Sequence, residues 1–335
     1  MLFTSSDELK KHIGFIYLAI KFENTKTYIA MAERDIIRLI GKNVYKLAAD
    51  YYASPTDDDP NKTLLETLIE KIQLPVALHA YRRYAPGSDL SHSDSGRKML
   101  SQEGEKQAFE WMIKRDNANL NDLAHEATDM LLEWLDEQLI PIVVPPEEEG
   151  GEETETVNIV GEAWGSSTEY EATKSLLISS ALQFDAVYPI NASRRLYLTL
   201  VPFIREVEKR FIEPAITTAR YEEIKENIAD LEALDTDEEK ILDLARVPIA
   251  LMTMSIALKR LSMELLPDSV VQNYSSSDPA STQTADSADR RGLSAMLERD
   301  ARRELIPLQA FIASLNTEAV TETEETDTTQ PFFMA

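Results

Sequence analysis

The 335-residue chain has no cysteine, only 10 glycines and four histidines, and no early apolar run long enough to cross a bilayer. Without thiols there is neither a disulfide framework nor a thiolate metal site, which suits reducing cytosol or a particle assembled in it. So few glycines argue against a fold of many tight turns and point to helices. The longest early apolar run, Ile13 to Ile20, is broken by Gly14 and bounded by Lys11 and Lys21. That is far short of the ~20 residues that span a membrane, and its flanks do not suit a signal peptide, so neither anchoring nor export is expected. Cations are scarce as well: 34 Lys and Arg against 59 Asp and Glu leave a net charge of −25. Phosphate contacts need concentrated Lys and Arg, so ordinary nucleic-acid binding is disfavoured. A basic partner, or a DNA path that must not adhere, fits the charge better.

What is present is globular: 43% apolar and 28% charged residues, in a chain long enough for two cores. Ile29, Ala32, Ile36, Leu39, Ile40, Val44 and Leu47 recur at steps of three and four, an amphipathic helix with a possible break at Gly41. A second helix starts near Lys62 and runs past Pro75 to Tyr84; Ala85–Gly96 reads as a loop with at most a short strand near Leu90. From about Glu103 to Leu139 the helical spacing is strongest, with Asn117–Asn119 as the expected break. Ile140–Val144 and Thr156–Val160 are β-branched runs around an acidic turn and predict a short hairpin. Helical spacing resumes near Glu169; Asp268–Asp289 reads as a long polar loop before a last helix from about Arg290 to Leu315. Two acidic stretches, Glu147–Glu155 and Glu318–Asp327, lack any Lys or Arg and read as solvated linker and tail.

An internal repeat organises these elements. Leu74-Pro75-Val76-Ala77-Leu78 returns as Val247-Pro248-Ile249-Ala250-Leu251, at an offset of 173. Met112–Asp116 matches Met296–Asp300 at 184, and Arg38–Ile40 parallels Arg210–Ile212 at 172. The expected fold is therefore mainly α, a tandem duplication of a small helical bundle with a short β-hairpin between the halves. The expected boundaries are 1–140 for the first helical unit, 141–167 for an acidic linker or hairpin, 168–316 for the second unit and 317–335 for an acidic flexible tail.

No chemistry-bearing motif survives inspection. His12, His79, His92 and His125 include no i, i+4 pair. Asp57-Asp58-Asp59 begins like a calcium loop, but Lys62 and Leu68 stand where that loop needs Gly and Glu. Ser91–Gly96 holds Ser, His and Asp side by side, a spacing unsuited to a nucleophile, base and orienter. No catalytic residue, metal ligand or cofactor site is expected. Candidate interface residues are Trp164, in a Gly-flanked linker, and Phe332, Phe333 and Met334 at the end of the acidic arm; Trp111 and Trp134 are expected in a core.

Ala77-Leu78-His79-Ala80-Tyr81, the loop Asp89–Arg97, Gly104–Trp111 and Glu264–Gln272 together resemble an uncharacterised family of phages and integrated elements of the Bacteroidetes. Such proteins are similar to head–tail connector adaptors of tailed phages, helical bundles that form a ring beneath the portal. The duplication and the acidic segments depart from the usual adaptor. The resemblance implies a virion structural protein at the neck, assembled in the host cytoplasm. Its partners would be itself in a ring, the portal protein, tail proteins, and double-stranded DNA that passes without specific binding. The alternative is a soluble acidic regulator that binds a basic host protein. Neither reading makes the chain an enzyme or gives it a membrane.

Overall fold

The computed structural model describes residues 1–14, 21–88, 90–93, 96–99, 109–144, 154–230, 234–261 and 287–326. The chain divides into one compact unit, Met1–Ala172, and a second that begins at Thr173.

In the first unit, α1 (Ser6–His12), α2 (Phe22–Ile40), α3 (Lys42–Ala53), α4 (Lys62–Ser88) and α5 (Glu110–Glu137) carry the core. Leu68, Ile72 and Val76 of α4 are fully buried, as are Ile29, Ile36 and Ile40 of α2 and Leu120 and Leu131 of α5. Two small antiparallel hairpins interrupt the helices. β1 (Leu90–Ser93), the short strand allowed near Leu90, pairs with β2 (Gly96–Met99), so the expected loop is a hairpin. β3 (Ile142–Val144) pairs with β4 (Thr154–Thr156), so the expected hairpin is present with its second strand shifted. The shift has a local cause: Asn158 accepts hydrogen bonds from the Val160 and Gly161 N–H groups and starts α6 (Ile159–Gly165), which ends strand geometry at Thr156. α7 (Thr168–Lys174) follows. Nor does α5 break at Asn117–Asn119; it runs unbroken from Glu110 to Glu137.

The second unit contains α8 (Ala181–Asp185), α9 (Arg194–Val207), a π-turn (Glu208–Ile212), α10 (Glu213–Ile216), α11 (Thr218–Asp230), α12 (Thr236–Arg260) and α13 (Ser287–Thr326). Its core is one cluster centred on α9, α12 and α13, including Leu200, Ile204, Ile241, Ile249 and Leu308. By length and composition α12 is apolar enough to cross a membrane, but 67% of that window is buried inside the protein. α13 continues through Thr326, ten residues into the expected flexible tail. Most of the expected loop Asp268–Asp289 lies outside the described residues.

The two units repeat one another in detail. α12 follows α4 at the offset of 173: Leu68, Ile69, Ile72 and Val76 are buried, and so are Ile241, Leu242, Ala245 and Ile249. Gly41 (φ 80°, ψ 160°) joins α2 to α3, and Thr217 (φ 76°, ψ 146°) joins α10 to α11 in the same rare conformation. That match, with buried Ile36 and Ile40 answering Ile212 and Ile216, sets the offset here at 176. The pairing of Arg38 with Arg210 was therefore one helical turn out. In the last helix, Leu120, Ala124, Leu131 and Leu135 are buried and answer Leu297, Ala301, Leu308 and Ile312, an offset of 177. The Met-x-x-Arg-Asp match at 184 is displaced by seven residues, nearly two turns, so it falls on almost the same face and misleads.

Candidate functional site: two buried carboxylates and a groove beside α6

Each unit turns a buried glutamate onto the backbone of its own lead-in segment. In the first, Glu33 of α2 is 6% exposed and accepts a hydrogen bond from the Leu2 N–H at 2.6 Å. The Leu2 carbonyl accepts from Gln73 Nε2 at 2.5 Å. In the second, Glu208 has no exposed surface; one oxygen accepts from the Leu177 N–H at 2.8 Å and the other from the Tyr221 hydroxyl at 3.1 Å. The Leu177 carbonyl accepts from Arg246 Nε at 3.3 Å. Gln73 and Arg246 each stand two residues before the helix proline, Pro75 or Pro248. A buried carboxylate is costly unless hydrogen-bonded, and here the bonds fall on both polar groups of one residue in the segment that leads into the bundle.

The segment itself is duplicated. Ser5 caps α1 and Ser180 caps α8, each accepting from the backbone N–H three residues on. Glu8 and Gln183 reach back to the Thr4 and Ser179 N–H groups at 2.6 and 2.9 Å. Leu2, Leu9, Leu177 and Phe184 are buried. From Leu2 to Glu33 the offset is 175, one less than at Ile36. The extra residue in the second copy is taken up by the π-turn, whose last bond joins the Glu213 N–H to the Glu208 carbonyl. Pro214 supplies the reason, since it has no N–H for the Arg210 carbonyl and its ring crowds that oxygen.

Burial pushes the Glu208 carboxyl up to about 7, against the opposing pull of the Leu177 N–H and the Tyr221 hydroxyl and of the Lys225 and Arg205 cations. Burial, and then the Glu208 charge, pushes the Tyr221 phenol well above its ordinary value. Burial and then Glu33 raise Tyr45, its counterpart at offset 176, in the same way. Both carboxylates are buried, and each holds backbone of its own unit.

A groove of about 510 Å³ runs between α3 and α6, lined by Asn43, Lys46, Leu47, Asp50, Ile159, Glu162, Ala163 and Ser166. It is open, and its charged groups are of both signs. Among the described residues no three His, Asp or Glu side chains are placed to hold a metal ion. His79 and His125 lie with ring centroids 5.5 Å apart, and His79 Nε2 is 3.0 Å from the Thr128 hydroxyl.

The sequence-derived interface candidates fare differently. Trp164 is not an interface residue in this structure: it is 3% exposed, and its Nε1 donates to Asp136 Oδ1 at 3.0 Å. α6 docks so closely that a Cβ on Gly161 would lie 2.1 Å from the Gln138 carbonyl oxygen, so the glycine near Trp164 marks a helix contact, not a linker. Trp111, expected in a core, is 50% exposed beside Phe109 at 67%. Phe332, Phe333 and Met334 lie outside the described residues. His92 and Ser93 form part of β1, opposite Arg97 and Gly96, while Asp94 is outside the described residues.

The sequence profile of a family of unknown function, DUF6712, matches residues 36–140 and again 212–317. The chain belongs to the DUF6712 family. No curated protein and no solved structure matches it. The two DUF6712 matches begin at Ile36 and Ile212, which the buried pattern makes equivalent, and end at the offset of 177 found in the last helix. Both begin just after the clasping glutamates, so the structural repeat reaches further toward the N-terminus than the profile. Sequence reasoning missed the clasps; the S-x-x-E and S-x-x-Q capping patterns at Ser5 and Ser180 could have found the duplicated segment they hold, though not the glutamates.

Proposed function

We propose that the chain is a virion structural protein, a head–tail connector or adaptor that forms a ring at the portal–tail junction of a tailed phage. The observation that carries the reading is how the polar groups are spent. The buried carboxylates fasten backbone inside each unit, while the outer faces of the long helices α5 and α13 stay exposed and carry charge. A duplicated bundle with this division is suited to contacts with other chains. The resemblance to neck adaptors supports the same reading. The net charge of −25 suits a wall past which DNA slides. Portal and tail proteins are then its neighbours, in particles assembled in the host cytoplasm.

Mass spectrometry of purified virions, with gold labelling of the neck, tests this. The protein should be present in fixed copy number, and particles made without it should be heads lacking tails. Absence from virions, or normal joining without the protein, would replace this reading with that of a soluble acidic regulator of a basic host protein.

A further inference from the structure

At 100° per residue, the buried stripe of α13, Ser294, Leu297, Ala301, Leu308 and Ile312, fixes the opposite side as its outer face. That face is made of Gly292, Ala295, Met296, Arg299, Arg303 and Ile306, all exposed. The side chains of Arg299 and Arg303 are 76% and 78% exposed. Their nearest carboxylates, Asp300 and Glu304, lie on the flank at 3.8 and 3.9 Å, too far for hydrogen bonds. In a chain of net charge −25, this outer face contains no acidic residue. A Cβ on Gly292 would meet nothing within 4 Å, and Met296 and Ile306 are 43% and 61% exposed. Small, apolar and arginine side chains in this order suit close packing against a second helix that is acidic.

The equivalent face of α5 supplies the complement. At the offset of 177, Gly292 answers Arg115, but from there on Arg299 answers Asp122, Arg303 answers Glu126, Ile306 answers Asp129 and Ala310 answers Glu133, so the acidic stretch runs from Asp122 to Glu133. Asp122, Glu126 and Glu133 are exposed and Asp129 is half-buried. This stretch of an ancestral repeat's surface has thus become acidic in one copy and cationic in the other, while the buried stripe beneath it stayed largely apolar in both. We propose that the two are halves of one self-contact: the acidic outer face of α5 in one copy of the chain packs on the arginine face of α13 in a second copy. The inference rests on the assembly reading above and names the surface through which copies meet. Each chain carries both halves, so the contact is head-to-tail and repeats from copy to copy, as a ring requires.

Mass photometry and sedimentation velocity of the full chain test the contact. The wild type should self-associate at low ionic strength and dissociate at least about tenfold more readily at high salt, because the charges face each other across a solvated rim. Arg299→Glu with Arg303→Glu should be monomeric, and so should Glu126→Arg with Glu133→Arg. An equimolar mixture of the two should associate again, since the unchanged acidic face of the first variant then meets the unchanged arginine face of the second. Arg299→Gln with Arg303→Gln repeats the first test with less disturbance, and circular dichroism confirms folding. A wild type that stays monomeric at every concentration overturns the proposal, as does a monomer that binds only a basic protein through α5. So do charge-reversed variants that associate like the wild type, or a mixture of folded variants that stays monomeric. These readouts use the purified protein, so their failure is separate from its absence from virions.

Discussion

Glu208 makes the stability of the second unit depend on pH in a direction opposite to that of an ordinary ion-paired carboxylate. Its proton is held with a pKa of about 7 in the folded unit against an ordinary value of 4.5, with burial the largest cause. Between those values the folded state carries a proton that the unfolded chain has released. The contribution of Glu208 to native stability is therefore highest below 4.5, falls as pH rises toward 7, and levels off above it. Integrated from pH 5 to pH 8, the loss is about 2.5 kcal/mol, a large share of a typical domain's stability. Glu208→Gln keeps an oxygen for the Leu177 N–H and removes the titration, so the difference between wild type and variant should change by about that amount across the same window. The assay is hydrogen exchange of the α9 and α12 amides in mild denaturant at pH 5, 6, 7 and 8. An internal control is built in, because all three tryptophans, Trp111, Trp134 and Trp164, belong to the first unit. Their fluorescence transition should not respond to the substitution. A difference that is flat with pH, or one that appears equally in the tryptophan signal, would refute the reasoning.

Thr217 holds a backbone conformation, φ 76° and ψ 146°, that favours glycine, and Thr217→Gly should raise the stability of the second unit by about 1 kcal/mol in denaturant titrations. Gly41→Ala should lower that of the first by about 2 kcal/mol, since it combines the same strain with a Cβ 2.8 Å from Glu169 Oε2. Gly161→Ala drives a methyl group into the Gln138 carbonyl; it should lift α6 from its seat at a cost of about 3 kcal/mol, seen as a red shift of Trp164 emission, while an unchanged spectrum would show that α6 is not held there.

The helical class and the duplication were legible because Pro75 and Pro248 sit in like apolar surroundings and mark the same point in the most buried helix of each unit. The other two repeat pairings went astray by one turn and nearly two. A helix face recurs every three or four residues, so short matches slide along it without losing apolar character. The clasps were invisible for a different reason. Leu2 and Leu177, and Glu33 and Glu208, are joined across 31 residues in each unit, and no local pattern marks a glutamate that turns inward to hold a distant amide. Trp164 was misread because glycines on either side look like a linker, whereas Gly161 is there to let two backbones touch. The outer faces of α5 and α13 become comparable only once the buried stripe fixes their register.

The π-turn at Glu208–Ile212 bears on the history of the duplication. An added residue in a regular helix rotates everything beyond it by about 100°, which would swing Ile212 and Ile216 out of the core and take Thr217 from its bend. Here the surplus residue is looped into a single widened turn, so the helix leaves the insertion in the phase at which it entered. The two copies could thus drift apart by a length change in the middle of their most buried lead-in helix, a kind of change usually confined to loops. It sits where the glutamate, freed from the regular ladder, grips the segment in front of it.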